Sequence, residues 1–178
     1  EFLESIIGKK EERTIIKPYG ISIRKGIIYI CDTMLGGLVI VNLKNSTFEY
    51  FIPKGFGELK KPINCFVDGE GFIYVADSER QQIVVFDENR NYLNCFGLEE
   101  QIKPTDIFVK ENIIWVTDLM NNKVVLYNKN DFTYINSFPK TTTDSLSKLL
   151  SPTNLFVTDK EVYVSDFGDF NIKVYDTN

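Results

Sequence analysis

A phrase that returns four times along the chain restricts its fold more than any other feature. Each copy holds a proline, a short apolar run, an aromatic residue between branched residues, a small residue and an aspartate. The prolines are spaced by 44, 42 and 48 residues. From the first copy to the fourth, the proline and the aspartate are Pro18 and Asp32, Pro62 and Asp77, Pro104 and Asp118, and Pro152 and Asp166. A period of about 40 to 50 residues in a strand-rich chain is typical of stacked or radial repeats.

Alternating apolar residues and turn signals divide each copy into four strands. In the second copy the turn Asp68-Gly69-Glu70-Gly71 separates the first strand from the second. The second strand of every copy is apolar at consecutive positions, which suits a strand buried on both faces. The radial sheets of a β-propeller provide such burial, because each sheet packs against both of its neighbours. The sequence therefore predicts an all-β propeller with four four-stranded antiparallel blades.

The repeats define a single domain over residues 1–178, with blades at about 17–52, 61–97, 103–138 and 151–178. Residues 1–8 resemble an outer strand, and as the missing strand of the last blade they would close a four-bladed ring. Alternatively, the chain is a window on a ring with more blades. The absence of an initial methionine favours this second interpretation.

Charge and composition argue against several functions. The net charge of −5 argues against nucleic-acid binding, which depends on basic patches that neutralise phosphates. No apolar run approaches the ~20 residues of a membrane span. The chain has no histidine, the usual side chain for proton transfer near neutrality, and no Gly-x-Ser-x-Gly nucleophile motif. We therefore assign no catalytic residue and expect a non-enzymatic protein.

Polar residues recur two positions after the proline in three of the four copies: Asn64, Asp106 and Asn154, with Gly20 in the first copy. In a propeller this position lies at the mouth of the central channel, where the innermost strand begins. A ring of amide and carboxylate oxygens is a ligand set for a hard cation such as calcium. Ordered water between these side chains is the alternative, and we expect no cofactor here, with calcium as the second hypothesis.

The loops that follow the four aspartates form a second candidate site, because they emerge on the same face as the channel mouth. The second copy has a polar loop there that contains Arg80, and the other copies have apolar tips: Met34, Leu35, Leu119, Met120, Phe167 and Phe170. Apolar residues clustered at exposed loop tips are typical of a contact surface. The sequence predicts that this top face binds a protein or a small-molecule ligand.

The second copy resembles an NHL repeat, from Pro62 through Gly71-Phe72-Ile73-Tyr74-Val75-Ala76-Asp77 to Ile83-Val84-Val85-Phe86-Asp87. The resemblance implies a mostly six-bladed family, and hence about two further blades. Propellers of this kind include binding modules and a few lyases and hydrolases, so the fold alone does not fix the function. Our alternative to a binding protein is accordingly a hydrolase or lyase whose catalytic groups lie partly outside this chain. Bacterial relatives are often exported, and we extend that expectation to this protein.

Overall fold

The computed structural model describes residue 6, residues 15–140 and residues 145–177, and these residues form a propeller of four antiparallel blades. Three blades have four strands: β1 (Pro18–Arg24), β2 (Ile27–Asp32), β3 (Gly37–Asn42) and β4 (Thr47–Phe51); β5 (Pro62–Val67), β6 (Ile73–Asp77), β7 (Gln82–Phe86) and β8 (Tyr92–Phe96); β9 (Pro104–Lys110), β10 (Ile113–Asp118), β11 (Lys123–Asn128) and β12 (Tyr134–Phe138). The fourth blade has three: β13 (Pro152–Val157), β14 (Glu161–Asp166) and β15 (Asn171–Asp176). The predicted architecture is confirmed.

The number of blades corrects one expectation. The described residues form four blades and not the six expected from the resemblance. The outer strand predicted for residues 1–8 lies almost entirely outside the described residues. Helical structure among the described residues is restricted to two short 3-10 turns, Gly55–Gly57 and Ser145–Ser147. Within the same residues, no helix is long and apolar enough to cross a bilayer.

The core consists of apolar layers between successive blades. One layer contains Tyr74, Ile83 and Val85 of the second blade with Ile107 and Val109 of the third, all buried. Equivalent layers join the first blade to the second and the third to the fourth. The second strands are buried on both faces because each blade contributes to two layers, as their consecutive apolar residues predicted.

The aromatic residue of the second strand has the same place in each layer. Tyr29 packs between blades one and two, Tyr74 between blades two and three, and Trp115 between blades three and four. Tyr163 is the fourth member of the series, and it remains partly exposed on the outer face of the last blade. These positions confirm that the repeats are equivalent wedges of one propeller.

The turn between β5 and β6 shows how the sequence sets the strand order. The Asp68 carboxylate accepts hydrogen bonds from the backbone N–H groups of Glu70, Gly71 and Phe72 at 2.9–3.0 Å. Gly71 has a φ of +105°, a conformation that residues with a Cβ rarely adopt. The aspartate and the glycine together reverse the chain into β6.

Candidate functional site

The four recurring aspartates lie at one edge of the propeller, where each second strand ends. Each is opposite the proline that begins the innermost strand, as in the pairs Pro62–Asp77 and Pro104–Asp118. The register therefore brings the first residues of the innermost strands and the loops after the second strands to the same edge. We call this edge the top face.

The aspartates hold the backbone of the top-face loops. Asp32 is fully buried, and its carboxylate accepts hydrogen bonds from the N–H groups of Ile16 and Lys17 before β1 and from those of Met34 and Leu35 after β2. Asp118 likewise accepts from the N–H groups of Lys103 and Met120. All four recurring aspartates are buried to 1% exposure or less. The interpretation of these residues as caps rather than as a carboxylate cluster is confirmed.

The loop tips held in this way present apolar side chains to solvent. Met34, Met120, Phe167 and Phe170 have exposed fractions of 50% to 87%. The Phe167 and Phe170 rings contact each other, with centroids 5.9 Å apart, so they form one exposed aromatic pair. These four side chains belong to blades one, three and four, and we call them the apolar rim.

Three further residues predicted for this site have other surroundings. Leu35 is half-buried and packs against the core of the first blade. The Arg80 guanidinium donates hydrogen bonds to the carbonyl oxygens of Phe56 and Glu58 at 2.9 and 2.6 Å, so it fastens the loop between the first two blades. Leu119 is half-buried and lines a cavity at the channel mouth.

The structure brings the three predicted channel-mouth residues together. Asn64 donates a hydrogen bond from Nδ2 to Oδ1 of Asp106 at 2.5 Å, and the Asn154 side chain also bonds the Asp106 carboxylate. The same carboxylate accepts from the backbone N–H groups of Ile107 and Leu155, each at 2.8 Å. Asp106 therefore connects the second, third and fourth blades around the channel.

Electrostatics at this carboxylate do not favour a cation. Burial raises the pKa of Asp106 to about 6, although the hydrogen bonds from Leu155, Ile107 and Asn154 lower it. Both carboxylate oxygens already accept hydrogen bonds, and Asn64 uses its side-chain oxygen to accept from the Cys65 N–H. The described residues contain no group of three or more histidine, cysteine, aspartate or glutamate side chains that could hold a metal. A bound cation would have to displace these hydrogen bonds, and the calcium hypothesis stays a prediction.

Gly20 takes the channel-mouth position in the first blade for a steric reason. A Cβ at Gly20 would lie 2.4 Å from both the Asn64 Oδ1 atom and the Ile63 carbonyl oxygen. Since real Cβ atoms do not approach other atoms so closely, the first innermost strand can pass the second only with glycine here. The first copy thus departs from the polar pattern because its backbone occupies the space that a side chain would need.

A cavity of about 490 Å³ lies at the channel mouth, and its lining combines both predicted sites. Asn64, Asn154, Thr105 and Thr153 supply polar groups, and Leu119 supplies part of the apolar wall. Sequence reasoning missed the threonines, although Thr105 and Thr153 occupy matching positions directly after the proline in copies three and four. That match was the signal available for finding them. The cavity can hold a small ligand or one side chain of a larger one.

Comparisons with known proteins show a fold and no family. The chain matches no protein-family model and no curated protein. Among solved structures it is similar to a streptogramin B lyase, with 16% identity and a TM-score of 0.69 over 89% of this chain and 54% of that one. It is also similar to virginiamycin B lyase from Staphylococcus aureus (14%, TM-score 0.67, 89% and 55%) and to Kuenenia stuttgartiensis hydrazine synthase (14%, 0.71, 97% and 49%). The chain spans about half the length of these propeller proteins, and at such identities they support the fold alone.

Proposed function

We propose that this protein is an NHL-type propeller that acts as a non-enzymatic binding scaffold through its top face. The observation that carries the proposal is the apolar rim, which lies on the same face as a channel-mouth cavity that amide and hydroxyl side chains help to line. Methionine and phenylalanine at exposed tips are costly in water, and they gain free energy when a ligand covers them. The aspartate caps bond the backbone of these loops, so the loops hold the rim side chains in a fixed arrangement.

A polypeptide segment is the ligand that we favour. The rim residues belong to three different blades, so a ligand that contacts all of them is extended rather than compact. The cavity at the channel mouth has both polar and apolar walls, which suits a single anchor side chain whose polar end bonds Asn64 or Asn154. The methionines adapt to different ligand shapes because their side chains are unbranched and polarisable.

Selection from a random peptide library on the immobilised protein tests this proposal. We expect recovered peptides to be rich in apolar residues, and Met120→Ser combined with Phe170→Ser to weaken their binding by about tenfold or more. The control combines Leu93→Ser with Ile135→Ser, two exposed apolar residues on outer strands, and it should leave the affinity unchanged. Failure to recover any peptide, or equal losses in both double variants, would refute a peptide site at the top face.

A further inference from the structure

A cavity of about 480 Å³ lies between the second and third blades, at the outer edge of the propeller. Most of its wall comes from β8 and the loop that follows it, and from the turn before β12. Four aromatic side chains line it: Phe96, Tyr127, Phe132 and Tyr134. We call it the junction cavity. It is separate from the binding site proposed above, because no residue of the apolar rim lines it.

The charged side chains that line the junction cavity are all acidic. Glu99, Glu100 and Asp131 contribute carboxylates, and among the residues that the structure describes no lysine or arginine lines the cavity. Glu100 is half-buried and accepts a hydrogen bond from the hydroxyl group of buried Tyr127 at 3.1 Å. The ion pairs of the described residues include none of these three carboxylates. The cavity therefore has a negative potential that favours a cation.

Two basic side chains lie near the junction cavity without lining it. Lys123 lines a neighbouring cavity that shares Glu100, and the two side chains form no ion pair. The Arg80 guanidinium bonds the side-chain oxygen of Gln82, a residue of the cavity wall, and its Nη1 group bonds two loop carbonyl oxygens. These contacts hold Arg80 in its own loop, so the cavity carboxylates keep their charge available for a ligand.

The junction between the first and second blades is built in the same way and serves as an internal comparison. Phe51 and Phe86 meet there with ring centroids 4.9 Å apart, as Phe96 and Tyr127 do at 4.6 Å between the second and third blades. The strand registers give both pairs equivalent positions in their blades. The two junctions can therefore be compared position by position.

The first of these junctions contains a guanidinium group of the protein itself. Arg90, in the turn before β8, forms an ion pair with Glu49 on β4. Phe132 has the same place in the third blade, because each residue lies two positions before its outer strand and each has a positive φ, +67° and +61°. Since a positive φ does not favour phenylalanine, the turn itself does not explain the aromatic ring. The second junction thus has an aromatic wall, carboxylates and open space where the first has an arginine.

We propose that the junction cavity binds the guanidinium group of a ligand. A guanidinium is planar and weakly hydrated, so it stacks on aromatic rings and donates hydrogen bonds to a carboxylate in a fixed geometry. Phe132 and the 47% exposed Tyr134 supply ring surface, and Glu100 and Asp131 supply carboxylate acceptors. The ligand is a small guanidinium compound or an arginine side chain of a polypeptide, because the same groups recognise both.

An NMR titration of the isotope-labelled protein with arginine amide tests this proposal. We expect the backbone N–H signals of Gly97 and Thr133, two residues of the cavity wall, to shift and saturate with a Kd of about 1 mM or tighter. Citrulline amide has an uncharged urea group in place of the guanidinium, and it should bind about tenfold more weakly or not at all. A capped peptide with one central arginine distinguishes the two sources. If it binds as tightly as arginine amide, the ligand is a polypeptide, and if it is excluded, the ligand is a small molecule.

Two variants locate the recognition in the charge and in the ring. Glu100→Gln removes the charge but keeps an oxygen acceptor for the Tyr127 hydroxyl group, and Phe132→Asn removes the ring with a residue that tolerates a positive φ. Each should weaken arginine amide binding by about fivefold or more. The control Glu88→Gln removes an exposed charge outside the cavity wall and should change the affinity by about twofold at most.

Three results would overturn the proposal. The first is equal affinity for arginine amide and citrulline amide, which would mean that the positive charge is not recognised. The second is the absence of saturable shifts at Gly97 and Thr133 up to about 50 mM arginine amide. The third is an affinity that stays unchanged in both Glu100→Gln and Phe132→Asn.

Discussion

Asp77 provides the sharpest quantitative test of how the top face is held. Its fully buried carboxylate accepts four backbone hydrogen bonds. Oδ2 accepts from Lys60 N–H at 2.7 Å, and Oδ1 accepts from the N–H groups of Lys61, Glu79 and Arg80 at 3.0–3.2 Å. Two of the four donors precede β5 and two follow β6, so Asp77→Ala detaches two segments at once.

The expected cost follows from the number of donors left without an acceptor. Each buried N–H group that loses its partner costs about 1–3 kcal/mol. Four such groups would cost about 4–12 kcal/mol if no water reached them. Lys60, Lys61 and Glu79 are exposed, so water replaces part of what is lost, and we expect the free energy of unfolding to fall by about 3–5 kcal/mol. In a chain of this length, this corresponds to a melting temperature lower by about 6–20 °C.

Thermal unfolding followed by circular dichroism and by the fluorescence of buried Trp115 measures the effect. Asp77→Asn should fall between the wild type and Asp77→Ala, because the amide keeps one oxygen acceptor but turns an N–H donor towards Lys60 N–H. Asp87→Ala is the control, since Asp87 accepts similar turn bonds from Asn89 and Asn91 that are exposed to solvent. If Asp77→Ala melted within 2 °C (about 1 kcal/mol or less) of the wild type, or no lower than Asp87→Ala, the capping argument would be wrong.

Three further predictions concern the channel mouth and the core. Gly20→Ala should destabilise the protein by about 1–3 kcal/mol in urea unfolding, because the new Cβ meets backbone atoms, whereas Gly69→Ala, with nothing within 4 Å, should change little. Burial raises the pKa of Asp106 from 3.8 to about 6, so the folded state holds a proton that the unfolded state has lost. Stability should therefore fall by about 2 kcal/mol as the pH rises from 4 to 6; Asp106→Asn should lack this dependence, and a wild-type profile flat over that range would contradict the pKa. Cys31 and Cys65 are buried free thiols, and burial raises the pKa of Cys31, so neither should react with a thiol reagent until the protein unfolds, as absorbance would show.

The sequence predicted the blades because the repeat encodes their packing directly. Consecutive apolar residues such as Ile73-Tyr74-Val75 require burial on both faces, and the structure provides it. The recurring aspartates were recognised as caps for a similar reason, since a residue present in every copy serves the scaffold. The position of each residue within the repeat was therefore sufficient to predict the fold and the placement of the top-face loops.

Contacts between different repeats of the chain could not be predicted from the sequence. Nothing in the order of residues shows that Asp106 bonds Leu155 N–H or that Asn64 Nδ2 points at that carboxylate, because these bonds depend on how closely the blades approach. Arg80 was predicted at the binding site because it lies on the top-face loop of the second copy, yet its donors bond carbonyl groups of the neighbouring loop. The six blades expected from the resemblance were not found for another reason, which is that the sequence of one repeat does not encode the number of blades in a ring.

The aspartate caps bind main-chain groups, so the side chains of the top-face loops are free to differ between blades. A carboxylate that recognises N–H donors is indifferent to the side chains that those residues carry. The same anchor accordingly supports Met34-Leu35 in one blade and Glu79-Arg80 in the next. Mutations can therefore change the side chains of each loop independently, while the aspartate keeps the loop backbone in the same position.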